Sequence, residues 1–393
     1  MATEKNKFII FFLLVIIIIT SAFSASLSGY KSNQNYLDVI QYIRNNAVTI
    51  KLTSLFLSFI FALLLNVFSN KNIIVVSKLA LLFIPFKLYL VFNHLYQNSS
   101  IIGIQEFIFF IVMIITVSTL TNKISNYKLD LFLNITIIIL LINLLQISVN
   151  FQDMFIGGRF VSITGNANHA GLIFSTLSIY TWALFYKSRN IKHLLLFISS
   201  FILLNFTGSR TGFLHLFIFL ILYMYPIVSR KKTTLLIPLL AILFLILTFS
   251  SGYELNFKNN TVFDRLDLDS NRLEIWRHSM NIFVENPFFG QTLKSDSNNY
   301  IESSYIACLS NYGIIGLLFL SLPVLYIVKT YFKIPNKSSL RSRRKLLIYS
   351  FLSALLVAAG FEAFLLANIS FIYICIFIFP SMIEQENITL KLK

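Results

Sequence analysis

A chain of 393 residues that is 56% apolar and only 12% charged, with a mean hydropathy of +0.76, is too apolar for a water-soluble domain. It reads as an all-α integral membrane protein, because its apolar runs are continuous and do not alternate with the period of two that a membrane β-barrel needs. The net charge of +16 sits mostly in short turns, so no nucleic-acid partner is expected.

Crossing the hydrocarbon takes about 20 residues per helix. That rule predicts about 12 transmembrane helices, near 8–28, 50–68, 73–92, 101–120, 131–150, 169–186, 193–206, 212–229, 234–251, 303–328, 346–360 and 365–382. Residues 8–19 followed by SAFSAS resemble a signal peptide, and we read them as an uncleaved first helix. With the N-terminus inside, 20 of the 32 Lys and Arg residues fall in inner segments and 9 in outer ones. This bias predicts both termini to be cytoplasmic, with residues 1–393 forming one polytopic domain. Cys308 and Cys375 lie inside predicted helices and read as small apolar residues.

Three outer segments are long: 29–47, 151–168 and 252–302. The second carries FQDMFIGGRFVSITGNANHAG. Its glycines allow turns, Asn166 and Asn168 offer amide donors and acceptors, and Arg159 supplies a permanent cation. The bland reading is an exposed loop with Asn168 as the N-cap of the following helix.

The stretch LLNFTGSRTGFLHLF at 203–217 places Arg210 in an apolar surround with no acid within ten residues on either side. A snorkelling arginine suits a cytoplasmic turn, but the charge count puts 208–211 outside. Either a distant carboxylate such as Glu106 or Glu362 pairs with it, or an anionic ligand does. Guanidinium holds an anion in a bidentate fork, and the free N–H groups that open the next helix add to such a site, together with Ser209.

The loop 252–302, between the ninth and tenth predicted helices, reads as irregular up to about Ser270. A helix follows, with a capping-box-like start at Asn271 and Glu274 and a stop at Asn286-Pro287. Leu273, Trp276, Met280 and Phe283 share one face of it, so it is expected to lie along the membrane surface. The loop holds five basic and eight acidic residues, so anion binding there falls to individual arginines. Glu302 stands at the outer mouth of the tenth segment. It is either a general-base candidate or a solvated carboxylate favoured by the helix dipole. The histidines are scattered without metal-ligand spacing, and no GxxxxGK[ST] phosphate loop occurs.

In order, GNANHAG, TGSRTG, Arg272-x-x-x-Trp276, Asn-Pro-x-x-Gly at 286–290 and NYGIIGLL resemble the O-antigen ligase and polymerase superfamily of bacterial membrane glycosyltransferases. The resemblance runs from about Arg159 to Leu320. It implies a multi-pass enzyme of the bacterial cytoplasmic (inner) membrane that uses undecaprenyl-pyrophosphate-linked oligosaccharide, without metal or cofactor. It also implies that Arg210 and Arg272, with Arg159, hold the pyrophosphate, while Asn166, Asn168, Ser209 and Trp276 line the substrate. The ligases' histidine is replaced by Glu302-Ser303-Ser304-Tyr305, and Ala167 stands for the usual proline, so the chain looks closer to the polymerases that join O-antigen or capsular repeat units. Glu302 is then the candidate base, with Asp296, Glu254, His278 and His169 as rivals. Membrane lipids and a chain-length regulator are the remaining implied partners. The alternatives are a ligase delivering glycan to lipid A core or protein, and a flippase for the same lipid-linked sugar. A flippase would place its decisive charges near the midplane, whereas these arginines stand at outer ends.

Overall fold

Inside hydrocarbon a backbone must satisfy its own N–H and C=O groups, which is why the apolar runs become helices. The computed structural model describes residues 4–22, 46–67, 76–97, 100–123, 128–149, 155–156, 159–161, 164, 166–226, 262–291, 301–334, 340–366 and 370–391. Its helices are α1 (Glu4–Ala22), α2 (Ala47–Val67), α3 (Lys78–Tyr96), α4 (Ser100–Lys123), α5 (Lys128–Val149), α6 (Ala167–Ser188), α7 (Ile191–Thr207), α8 (Arg210–Met224), α9 (Val262–Glu285), α10 (Ser304–Phe332), α11 (Leu340–Ala358) and α12 (Phe371–Lys391). The expected span at 234–251 lies outside the described residues. Ala47–Val67, Lys78–Tyr96, Gly103–Thr121 and Ser304–Phe332 are each long and apolar enough to cross a membrane. The protein is an all-α membrane protein whose further apolar helices are shorter.

Within the 151–168 segment, Phe155–Ile156 (β1) and Arg159–Phe160 (β2) pair antiparallel. The helix of the long loop starts at Val262, well before Asn271. Its packed face is also displaced. Ser279 and Ile282 are buried and Trp276 and Phe283 half-buried, while Leu273, Met280 and Val284 are exposed. The anticipated stripe is thus divided between protein and the outward side.

Helices α3, α4 and α12 build one part of the core around Phe83, Phe110, Tyr373 and Phe377, whose rings meet edge to face. Helix α3 packs on α10, α6 packs on α7 and α8, and α11 bridges α8 to α10. Tyr331 of α10 donates to Leu222 O of α8 at 2.8 Å, which ties the last turns of these two helices together.

Helix α10 is broken. Gly313 has φ 66 and ψ −168, a region open essentially to glycine alone. The break frees backbone groups, and the segment after α9 takes them. Ile314 N donates to Pro287 O at 2.8 Å, Ile315 N to Phe288 O at 3.4 Å, and Gln291 N to Ser310 O at 2.8 Å. Helix α3 secures the same joint, with Tyr89 OH donating to Tyr312 O at 2.7 Å and Asn93 Nδ2 to Phe289 O at 2.7 Å. Between the Tyr326–Tyr349 ring contact and the Ser304 N to Ala359 O bond, α10 covers more than twice as many residues as α11. At roughly 1.5 Å per residue the two paths match only if 304–312 turns across the bundle end, which the break allows.

Candidate functional site

Two of the sequence motifs interlock at the joint between α6, α7 and α8. Gly208 ends α7 in the left-handed conformation with φ 53 and Ser209 caps α8, its Oγ accepting from Gly212 N at 3.1 Å. Glycine after a helix and serine before one are the residues those positions favour. Asn166, not Asn168, caps α6: its Oδ1 accepts from Asn168 N at 2.8 Å and His169 N at 3.3 Å. Asn168 is already inside the helix, which leaves its side chain for another task.

That task is to hold Arg159. The guanidinium donates from Nη2 to Asn168 Oδ1 at 2.7 Å and to Gly208 O at 3.3 Å, and from Nε to Thr207 O at 2.9 Å. The two carbonyls are the orphan acceptors at the end of α7, where a cation is also favoured by the dipole. Glycines let the helices close on this clamp. A Cβ on Gly171 would lie 2.2 Å from Ser209 Cβ, and one on Gly212 would lie 2.7 Å from the Gly171 carbonyl. Arg159, Asn166, Asn168 and Ser209 thus build the joint. Arg210 follows it as the first residue of α8, with an exposed side chain. A cation in a helix's first turn opposes the dipole, so α8 itself does not favour it there.

The other candidates gather at the start of α10. Ser303 is its N-cap, Ser304 N donates to Ala359 O at 2.9 Å, and Ser304 Oγ donates to Glu362 O at 2.6 Å. Tyr305 OH donates to Leu356 O at 2.8 Å. The turn after α11 therefore holds the start of α10. Glu302, just before that start, is half-buried with its Oε2 buried. Trp276 of α9 reaches the same turn, its ring 6.4 Å from that of Phe361. Helix α11 connects the two assemblies, since its Phe351 ring lies 5.2 Å from His215 of α8.

Arg272 lies in α9, but its side chain is outside the described residues, as are Glu254 and Asp296 altogether. His278 is exposed on α9. Glu106 lies within electrostatic range of Lys87 and His94 of α3. Sequence reasoning missed the turn at 359–366 as a support for α10. Its one signal was an acid, Glu362, within an otherwise apolar run.

The O-antigen ligase family model matches residues 194–321. Over residues 194–321 the chain is similar to the O-antigen ligase family. No curated protein matches the chain. The matched segment contains the Gly208–Thr211 turn, the whole of α9, the 286–290 segment and the broken part of α10. The O-antigen ligase match therefore covers the two helix starts that carry Arg210 and Glu302, while Arg159 and α6 lie before it. Members of this family are glycosyltransferase-like enzymes acting on lipid-linked oligosaccharides at membranes.

Proposed function

We propose that the protein is a polysaccharide polymerase. In this reading it joins undecaprenyl-pyrophosphate-linked repeat units on the outer face of the cytoplasmic membrane, in O-antigen or capsule synthesis. The observation that carries the reading is the exposed Arg210 at the head of α8, presented by a turn that Arg159 clamps from behind. A guanidinium at an exposed helix start suits a diphosphate, which offers several anionic oxygens to a planar fork. The acceptor hydroxyl oxygen attacks the anomeric carbon of the donor sugar as the bond from that carbon to the diphosphate oxygen breaks. Arg210 and Arg272 stabilise the negative charge that accumulates on the leaving diphosphate. Glu302 takes the hydroxyl proton, and its half-buried setting before a firmly held helix start suits a base whose position must not drift. The guanidinium groups supply the charge neutralisation that a metal ion supplies in other transferases.

Arg210→Ala and Arg272→Ala, at normal expression, should each abolish long surface glycan on a gel; normal chain lengths in both would sink the pyrophosphate role. Each missing charge-assisted contact accounts for roughly a tenfold loss or more. Glu302→Gln should likewise stop chain growth, and retained polymerisation would remove it as the base. The description of the matching family favours a second reading, transfer by a ligase. A single capped repeat unit in the null strain supports the polymerase, whereas accumulated lipid-linked polymer with no surface glycan indicates the ligase.

A further inference from the structure

Helix α3 is apolar enough to cross a membrane, yet its last two turns bury Tyr89 and the amide of Asn93, with Gln97 at the C-cap. These three residues are four apart, so they form one row along the helix. A side-chain amide is unfavourable in such a place unless its groups are bonded. Here the bonds lead out of α3. Tyr89 OH donates to Tyr312 O at 2.7 Å, and Asn93 Nδ2 donates to Phe289 O at 2.7 Å and to Tyr89 OH at 3.3 Å. Gln97 Nε2 donates to Asn93 Oδ1 at 3.0 Å and to Gly290 O at 3.4 Å. The row is thus a relay of donors that grips backbone carbonyls at the break of α10 and in the turn after α9. Satisfied networks of this kind strengthen one another and specify one arrangement of the elements they join.

The turn that α3 grips is continuous with α9. Asn286 N donates to Ile282 O at 3.1 Å and Gly290 N to Asn286 O at 2.9 Å, which carries the helical hydrogen bonds of α9 into 286–290. Gly290, at φ 67, lets this turn close on α10, since a Cβ there would lie 2.4 Å from Tyr312 N. Arg272 precedes Asn286 on the same helix, about 21 Å away along the axis at roughly 1.5 Å per residue. A tilt of about 10° at the joint would therefore carry Arg272 by about 4 Å. A misplacement of only about 1 Å can cost a reaction roughly a hundredfold.

We infer that Asn93, with Tyr89 and Gln97, is a positioning residue for the transfer reaction: α3 sets the orientation of α9, and so the place of Arg272 relative to the start of α10. The inference rests on the reading above that Arg272 meets the leaving diphosphate. The row lies outside residues 194–321, so this support comes from a part of the chain that the family match does not cover. An apolar residue at 93 would suit the surroundings of α3 but would offer no donor to Phe289 O. The amide therefore fixes where the turn sits against α3, which apolar packing alone specifies less sharply.

The test combines a distance and a rate in purified full-length protein. Nitroxide labels are placed at Glu274→Cys on α9 and Leu318→Cys on α10, both exposed, while Cys308 and Cys375 are buried. Turnover is followed with lipid-linked repeat units isolated from the producing cells. Asn93→Leu should broaden the label distance or shift it by about 3 Å or more. It should also lower kcat about tenfold or more, with KM for the lipid-linked donor within about twofold. Tyr89→Phe keeps the ring and removes one donor, so it should act in the same direction more weakly, and it serves should the leucine variant fold poorly. Asn93→Gln keeps the amide and should restore part of kcat and of the narrow distance. An unchanged distance in Asn93→Leu and Tyr89→Phe overturns the inference, whatever happens to kcat, and so does a broadened distance with normal kcat. Arg272→Ala is the reference. If it stops turnover while the α3 variants behave normally, the inference alone fails and the diphosphate reading stands. If it turns over normally while the α3 variants lose both distance and rate, α3 positions α9 and the role given to Arg272 is wrong.

Discussion

Arg159 and Arg210 flank the same joint and do different work. Both are arginines beside glycines in the sequence, and residue type alone groups them as anion ligands. The bonds separate them: Arg159 is spent on Thr207, Gly208 and Asn168, and Arg210 is exposed at a helix start. We expect Arg159 to act as a positioning residue. Hydrogen bonds to a charged group contribute about 1.5–3 kcal/mol each, so Arg159→Gln should lower the thermal midpoint in detergent and reduce kcat. Arg159→Lys keeps the charge but not the fork and should recover only part. The KM for lipid-linked donor should hardly move in either variant. A raised KM at unchanged thermal midpoint would show instead that Arg159 binds the diphosphate directly. Asn166 and Ser209 were legible as small polar residues near helix starts, yet only the coordinates show that each is occupied in capping.

Among the elements, α10 departs most from its sequence. A continuous apolar run predicts a continuous helix, and nothing in the periodicity of 303–328 marks a break. The break arises because Gly313 tolerates a conformation closed to other residues, and because Pro287 and Phe288 offer carbonyls to the N–H groups it frees. The motifs Asn-Pro-x-x-Gly and NYGIIGLL, separate in the chain, are thus two halves of one joint. Gly313→Ala should cost about 1–3 kcal/mol from backbone strain alone, and its Cβ would meet Phe288 O at 2.2 Å. We expect a lower thermal midpoint and loss of glycan polymer. Gly360→Ala, whose added methyl meets only Val357 O at 3.2 Å, should be tolerated. Equal behaviour of the two variants would show that the joint at Gly313 does not matter. Helix α9 was legible as a helix, but its packed side was not: Ser279 takes a buried place that an apolar pattern assigns to Met280.

For the molecule as a whole, the side on which each end lies follows from lysine and arginine placement. We expect both termini in the cytoplasm and α9 outside. Cys308 and Cys375 are buried, which leaves a low background for labelling. Glu285→Cys should therefore react with a membrane-impermeant maleimide in intact cells, and Lys333→Cys only after lysis. The reverse pattern would invert the topology and remove the outer-face reaction with it.

The sequence by itself determined that this is a membrane protein of many helices, where most of those helices run, and which polar inserts interrupt them. Such features are local: a helix in lipid satisfies its backbone within its own segment, so about twenty apolar residues announce it without reference to neighbours. Tertiary structure alone decided which inserts meet. It joined Arg159 to the TGSRTG turn, seated 286–290 in the break of α10, and brought the 359–366 turn against the start of the helix after Glu302. These contacts depend on side-chain hydrogen bonds and glycine close approaches across long stretches of chain, and neither hydropathy nor charge counting carries information on them.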